Sequence, residues 1–175
     1  QSLGQGIILD FSVHMNALLE INPQQGYARL QPGLVKDDFD AELKTYGMFW
    51  PPDPSSSPWC TIGAMVANNS GGAKSIRYGT TKDYLLELDV LLISGERLRL
   101  RPLEVMPEGR INFPEDASGP ERRLAEKTLQ LLRTNRTVIK AGKPESSRNA
   151  AGYNIFDVLH APEKFGPTGE PPRDY

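Results

Sequence analysis

The sequence is short of cysteine, of histidine and of long apolar runs. Cys60 is the single cysteine among 175 residues, so no disulfide can form within the chain, and this usage fits a reducing compartment. His14 and His160 lie far from each other and from Cys60, without the spacing of a metal-ligand set, so no metal is expected. No apolar run reaches the roughly 20 residues that span a bilayer. The longest, 85–93, is broken by Glu87 and Asp89. A basic-then-apolar leader is also missing, and the chain opens on Gln1 rather than Met, which suggests a piece of a longer protein. Excess positive charge is absent too. A net charge of −2 and a pI near 5.8 give no field for nucleic acid or an anionic membrane. Arg97, Arg99 and Arg101 alternate along one expected strand, but acidic neighbours make them a solvated face.

What is present is a globular chain. Hydrophobic residues make up 38% and charged ones 24%, enough apolar material for a core and too little charge for disorder. Gly6–Asp10 reads as a short buried strand. The runs 18–21 and 27–30 flank Asn22-Pro23-Gln24-Gln25-Gly26 and form an expected hairpin, ended by Pro32-Gly33. A helix is expected over 34–46, with Leu34, Phe39 and Leu43 inward, Lys36, Asp37, Asp38, Glu42 and Lys44 in water, and Gly47 as its cap. A strand over 85–93 turns at Ser94-Gly95-Glu96 and returns over 97–101. Residues 102–120 read as a surface excursion. A helix follows over 120–134, with Leu124, Leu131 and Leu132 on one side. Hairpins with inserted helices indicate an α+β domain, and no Gly-x-Gly-x-x-Gly turn supports a Rossmann site.

Residues 51–81 differ from the rest. Gly63, Ala64, Ala67, Gly71, Gly72 and Ala73 remove bulk, so a flat object could lie against the backbone. Thr61, Asn68, Asn69, Ser70 and Ser75 add short donors and acceptors, and backbone N–H groups in such a loop can cradle a pyrophosphate. Pro51, Pro52 and Pro54 stiffen the approach. A planar cofactor carrying phosphates needs this combination; a plain polar surface loop is the competing reading.

The ordered words Pro51-Pro52-Asp53-Pro54-Ser55-Ser56-Ser57, Cys60-Thr61-Ile62-Gly63, Ala67-Asn68-Asn69-Ser70-Gly71-Gly72 and Arg77-Tyr78-Gly79 come next. Asp83, Ser94-Gly95-Glu96, Gly33 and Gly152-Tyr153-Asn154 accompany them. Together they resemble the FAD-linked oxidases of the vanillyl-alcohol oxidase and p-cresol methylhydroxylase (PCMH) superfamily, in the branch of D-lactate and D-2-hydroxyglutarate dehydrogenases and the FAD subunit of glycolate oxidase. The resemblance implies an α+β PCMH-type FAD-binding domain, mainly its second subdomain, with a mostly antiparallel sheet flanked by helices. It assigns residues 1–160 to that partial domain and leaves 161–175 as a loop or linker. It implies FAD as cofactor. Pro52, Asp53, Ser57, Thr61, Ile62 and Gly63 would line the flavin and ribityl portion. Asn68, Ser70 and Gly71 would lie near the pyrophosphate and flavin, with Ser75, Tyr78 and Gly79 close by. Two departures stand out. Ala64 replaces a family glycine, and Gln1-Ser2-Leu3-Gly4-Gln5 lacks the upstream glycine-rich loop.

The resemblance further implies a flavin-dependent oxidoreductase. The whole enzyme would pass a hydride from a 2-hydroxy acid to flavin N5. The substrate would be held mainly by a domain outside this chain, and the chain alone would be inactive. No catalytic residue is assigned, and the electron acceptor, any following iron–sulfur domain and the oligomeric state stay open. A cytoplasmic location is expected, with peripheral membrane association through the acceptor as a variant. Two rivals remain: a non-catalytic interaction module keeping the fold, and a flavin domain acting on another alcohol or sugar. His14 reads as structural or solvent-facing, Cys60 as a small packing residue. Trp50 and Trp59 read as core or lid packing before flavin stacking, and Arg148 as a surface residue before a phosphate ligand.

Overall fold

The computed structural model describes residues 6–144 and 155–158. Two compact units succeed one another, 1–85 and 86–175. Both combine antiparallel hairpins with helices, so the α+β class holds. Among the described residues the strands form three separate two-stranded sheets rather than one continuous sheet.

In the first unit, β1 (Leu18–Asn22) pairs antiparallel with β2 (Tyr27–Leu30), with an irregularity between Leu18 and Glu20. The side chain of Asn22 accepts from the Gln25 backbone, and Gly26 turns at φ +70°. The expected hairpin is there. The helix α1 (Lys36–Lys44) lies inside the range read from the sequence, and Gly47 beyond it takes the left-handed conformation at φ +70°. Phe39 and Leu43, one turn apart, meet Leu34 and then Ile62 and Met65 from α2 (Ile62–Asn68). Leu18, Ile21, Ala28 and Leu30 of the hairpin close this core from the other side. Each fully buried apolar side chain of this kind contributes about 1.5–3 kcal/mol.

Three expectations are corrected here. Lys36 does not face water; only 4% of it is exposed. Residues 7–10 form no strand, and Ile7 is 91% exposed, because among the described residues no second strand offers them a ladder. The 51–81 stretch is not the plain polar surface loop of the competing reading. It holds α2, the short α3 (Ser75–Tyr78) and the start of a 3-10 turn (Thr81–Tyr84), and α2 supplies Ile62 and Met65 to the core.

In the second unit, β3 (Leu88–Leu91) and β4 (Arg97–Leu100) form an antiparallel hairpin turned at Gly95, φ +85°. Both are shorter than expected. Arg99 pairs with Glu87 on the solvated face read from the sequence, whereas Arg101, paired with Asp116, keeps only 17% of its side chain exposed. The 102–120 excursion contains a small hairpin, β5 (Glu104–Val105) with β6 (Ile111–Asn112). Helix α4 (Gly119–Thr134) opens with a reciprocal cap: Ser118 Oγ accepts from Glu121 N, and the Glu121 carboxylate accepts from Ser118 N. Its inward residue is Leu132; Leu124 and Leu131 are exposed, contrary to the expected apolar side. The helices α5 (Arg136–Ala141) and α6 (Ile155–Val158) follow. Gln1–Gln5, Arg148, Gly152-Tyr153-Asn154, His160 and residues 161–175 lie outside the described residues.

Candidate functional site

The site is built from three consecutive turns of chain in the first unit. The Pro-rich run enters first. Pro52 is fully buried, and the following residues wind tightly, with Ser57 N donating to Pro54 O and Cys60 N to Ser56 O. Cys60 then packs beside the core, as read from the sequence. Trp50 stacks at a tilt on Phe39 and Tyr84, with ring centres 5.7 and 5.4 Å away, whereas Trp59 is 79% exposed.

Thr61 follows as the N-cap of α2: its backbone is extended and its Oγ1 accepts from Ala64 N at 3.4 Å. A lone bridge joins Thr61 to Val35 and fixes where α2 starts relative to α1. Ile62 turns its side chain into the core, and its backbone N–H donates to Leu34 O at 2.8 Å. The opposite face of α2 carries Ala64, Ala67 and Asn68, all exposed and at i, i+3, i+4 spacing.

Asn69 ends α2 in the left-handed conformation at φ 46°, and its side chain accepts from Lys82 N at 3.0 Å. The loop 70–74 is then tied back on itself. Thr81, wholly buried, donates from both N and Oγ1 to the carbonyl of Ser70, at 3.0 and 2.7 Å. Ser75 Oγ accepts from Gly72 N at 2.7 Å. Gly79 has φ +81°, and Asp83 caps Thr80 through its backbone N and hydroxyl. The Tyr84 hydroxyl donates to Tyr78 O, and the Tyr78 ring meets Phe49 edge-on at 5.7 Å.

The glycines here are occupied by the chain itself. A Cβ on Gly63 would meet Pro32, one on Gly71 would meet Ser75 Oγ, and one on Gly72 would overlap the Asp53 carbonyl. The idea that these glycines leave a bare backbone for a flat ligand is therefore corrected: they let segments of the protein touch. The open small residues are Ala64, Ala67 and Ala73.

Charge is concentrated at Asp53. One carboxylate oxygen accepts from Lys36 at 2.7 Å, and the other pairs with Lys74 at 2.9 Å. Lys36 also holds Asp40 at 2.8 Å and Asp37 at 3.4 Å. Hydrogen bonds from Lys36 first and Lys74 second hold the Asp53 carboxyl below the usual carboxylate range, against a smaller opposing effect of burial. Burial works against the Lys36 ammonium, but hydrogen bonds to Asp40 and Asp53 outweigh it and keep the group charged beyond the ordinary lysine range.

The structure thus brings Pro52 and Asp53 together with Gly71, Gly72 and Ser75, and it ties Ser70 to the 79–84 turn. Thr61 and Gly63 sit against residues 32–35 instead, at the other end of α2. Lys36, Lys74 and Thr81 were not singled out in the sequence. Lys36 is masked by Asp37 and Asp38, which read as a wet helix face, and nothing in a lone threonine marks its hydroxyl as a brace.

The FAD binding domain family model matches residues 1–101, and the chain belongs to that family. It is 38% identical over 160 residues to the D-2-hydroxyglutarate dehydrogenase of Pantoea ananatis, a match covering 91% of this chain and 15% of the relative. To the glycolate oxidase subunit GlcD of Bacillus subtilis it is 42% identical over 94 residues, 54% of this chain and 20% of the relative. To the D-lactate dehydrogenase of Anaerostipes hadrus it is 31% identical over 99 residues, 57% and 20%. The chain thus spans about a fifth or less of these relatives.

FAD is the cofactor of this family, and the donor set fits it. Among the described residues, no hydrogen bond takes up the backbone N–H of Gly71 or Ala73. In the chain they fall between Ser70 and Ser75, just after α2, whose residues Ala64, Ala67 and Asn68 are exposed. Free amides and hydroxyls suit a diphosphate, and a face of small side chains suits a flat ring. Among the described residues no helix is long and apolar enough to cross a membrane.

Proposed function

We propose that the intact protein oxidises a 2-hydroxy acid with FAD, and that this chain supplies part of the cofactor's seat. When bound, FAD supplies the acceptor for the hydride leaving the substrate's carbinol carbon. The chain's residues bind and orient. Backbone N–H groups of Gly71 and Ala73, with the Ser70 and Ser75 hydroxyls, offer donors to the diphosphate. Thr61, Gly63 and Asn68, with the outer face of α2, lie along the ring and ribityl portion. Pro52, Ser57, Tyr78 and Gly79 shape the flanking turns. The domain extends through residue 160, with 161–175 as a connection onward. The substrate grip and the path to the electron acceptor belong to the rest of the protein.

The observation that carries this reading is the reach of the matches. The D-2-hydroxyglutarate dehydrogenases align over 160 residues, through both units, whereas the GlcD match ends after 94. D-2-hydroxyglutarate is accordingly the first substrate to try. The test is the visible spectrum of the purified intact protein. A flavin band that bleaches on adding D-2-hydroxyglutarate, more readily than with D-lactate or glycolate, is the expected result. A colourless protein that takes up no added FAD rejects the proposal.

A further inference from the structure

Asp53 joins three segments that are distant in sequence. Its carboxylate reaches Lys36 on α1 and Lys74 in the glycine loop, and its main-chain carbonyl is the atom against which Gly72 rests. Lys36 needs no such partner to be neutralised, since Asp40 on its own helix already lies 2.8 Å away. The second carboxylate instead ties the Pro-rich run to the loop whose amides stay free. Each Asp53 oxygen already accepts from one ammonium group, Oδ1 from Lys36 and Oδ2 from Lys74. A bare carboxylate beside a diphosphate would repel it, and the two ammonium groups offset that charge.

We propose that Lys36, Asp53 and Lys74 form an ionic latch that sets the 51–58 and 70–75 loops in place before the cofactor arrives, with Asp53 a positioning residue rather than a flavin contact. This rests on the reading of the loop as the FAD seat. The latch acts by lowering the entropy cost of ordering two loops on binding. Its two halves differ in kind. The Lys36 side is buried and little affected by salt; the Lys74 side is half exposed and screened by it.

The test uses the intact protein and two readouts, amide hydrogen exchange without FAD and the FAD dissociation constant. Asp53→Asn keeps the shape and removes the charge. Exchange should quicken in 51–58 and 70–75 together while the amides of 39–43 and 62–65 stay protected, and FAD should bind about tenfold more weakly. Lys74→Met, at an exposed position, should weaken FAD by about threefold in the unmodified protein, an effect that high salt mimics, and add nothing to Asp53→Asn. Unchanged exchange in both loops overturns the latch whatever FAD does. Loss of protection across the core as well makes Asp53 a general stabiliser and overturns the positioning role. A Lys74 effect that simply adds to that of Asp53 overturns the pairing. An unmodified protein that takes up no FAD overturns the seat itself, and the exchange readout still judges the ionic link on its own.

Discussion

The two units use different means to hold themselves. Residues 6–85 gather Leu34, Phe39, Leu43, Ile62 and Met65 into one contiguous core, with a hairpin and an aromatic pair packed on it. In 86–144, Leu98, Ile111, Leu132 and Ile139 are buried, while Leu91, Ile93, Leu131 and Val138 stand largely in water. That unit relies visibly on helix caps and on ion pairs such as Arg99–Glu87 and Arg101–Asp116, which water and salt screen. The difference teaches where the proposed cofactor seat gets its rigidity. The 70–84 loops hang from α2, and α2 is anchored by side chains in the best-packed part of the molecule.

Truncating the anchor should have the largest effect. Met65→Ala removes a fully buried side chain from the base of α2 and should cost about 2–5 kcal/mol in urea unfolding followed by circular dichroism. A loss under 1 kcal/mol would mean that the core of the first unit is no firmer than its neighbour. Next come the two adjacent glycines. Gly72→Ala meets a backbone carbonyl that cannot move alone, and it should cost about 1–3 kcal/mol. Gly71→Ala meets side-chain atoms instead, the Ser75 hydroxyl most closely and then Ser75 Cβ and Thr80 Cγ2, which can shift, and should cost less in the same titration. The reverse order would break the picture of a loop seated on Asp53. The smallest effect belongs to the second unit: Ser118→Ala removes the α4 cap and should cost about 1 kcal/mol, read as lost helix signal.

Much of this was legible in the sequence. Turn residues between alternating runs located both long hairpins, and the 3.6-residue spacing of Phe39 and Leu43 located α1. The ordered words of 51–79 located the family and its cofactor, FAD. What escaped was set by distant partners. Lys36 looks wet beside Asp37 and Asp38 because sequence does not show Asp53 arriving from 17 residues away. Gly63 and Gly72 looked like space for a ligand because their neighbours Pro32 and Asp53 are brought in only by the fold. The 7–10 run has the apolar character of a strand, but character without a partner makes no ladder. Leu124 and Leu131 fit a helical stripe that the second unit does not cover.

The two tryptophans stand at opposite ends of the proline run in opposite surroundings. Trp50 lies among rings, and its indole N–H is buried with no acceptor among the described residues; Trp59 is open to solvent. An indole without a hydrogen bond in an apolar setting emits at shorter wavelength than one in water, and a dissolved quencher reaches only the second. The chain therefore carries a built-in two-colour optical gauge, one colour for the interior of the first unit and one for its surface.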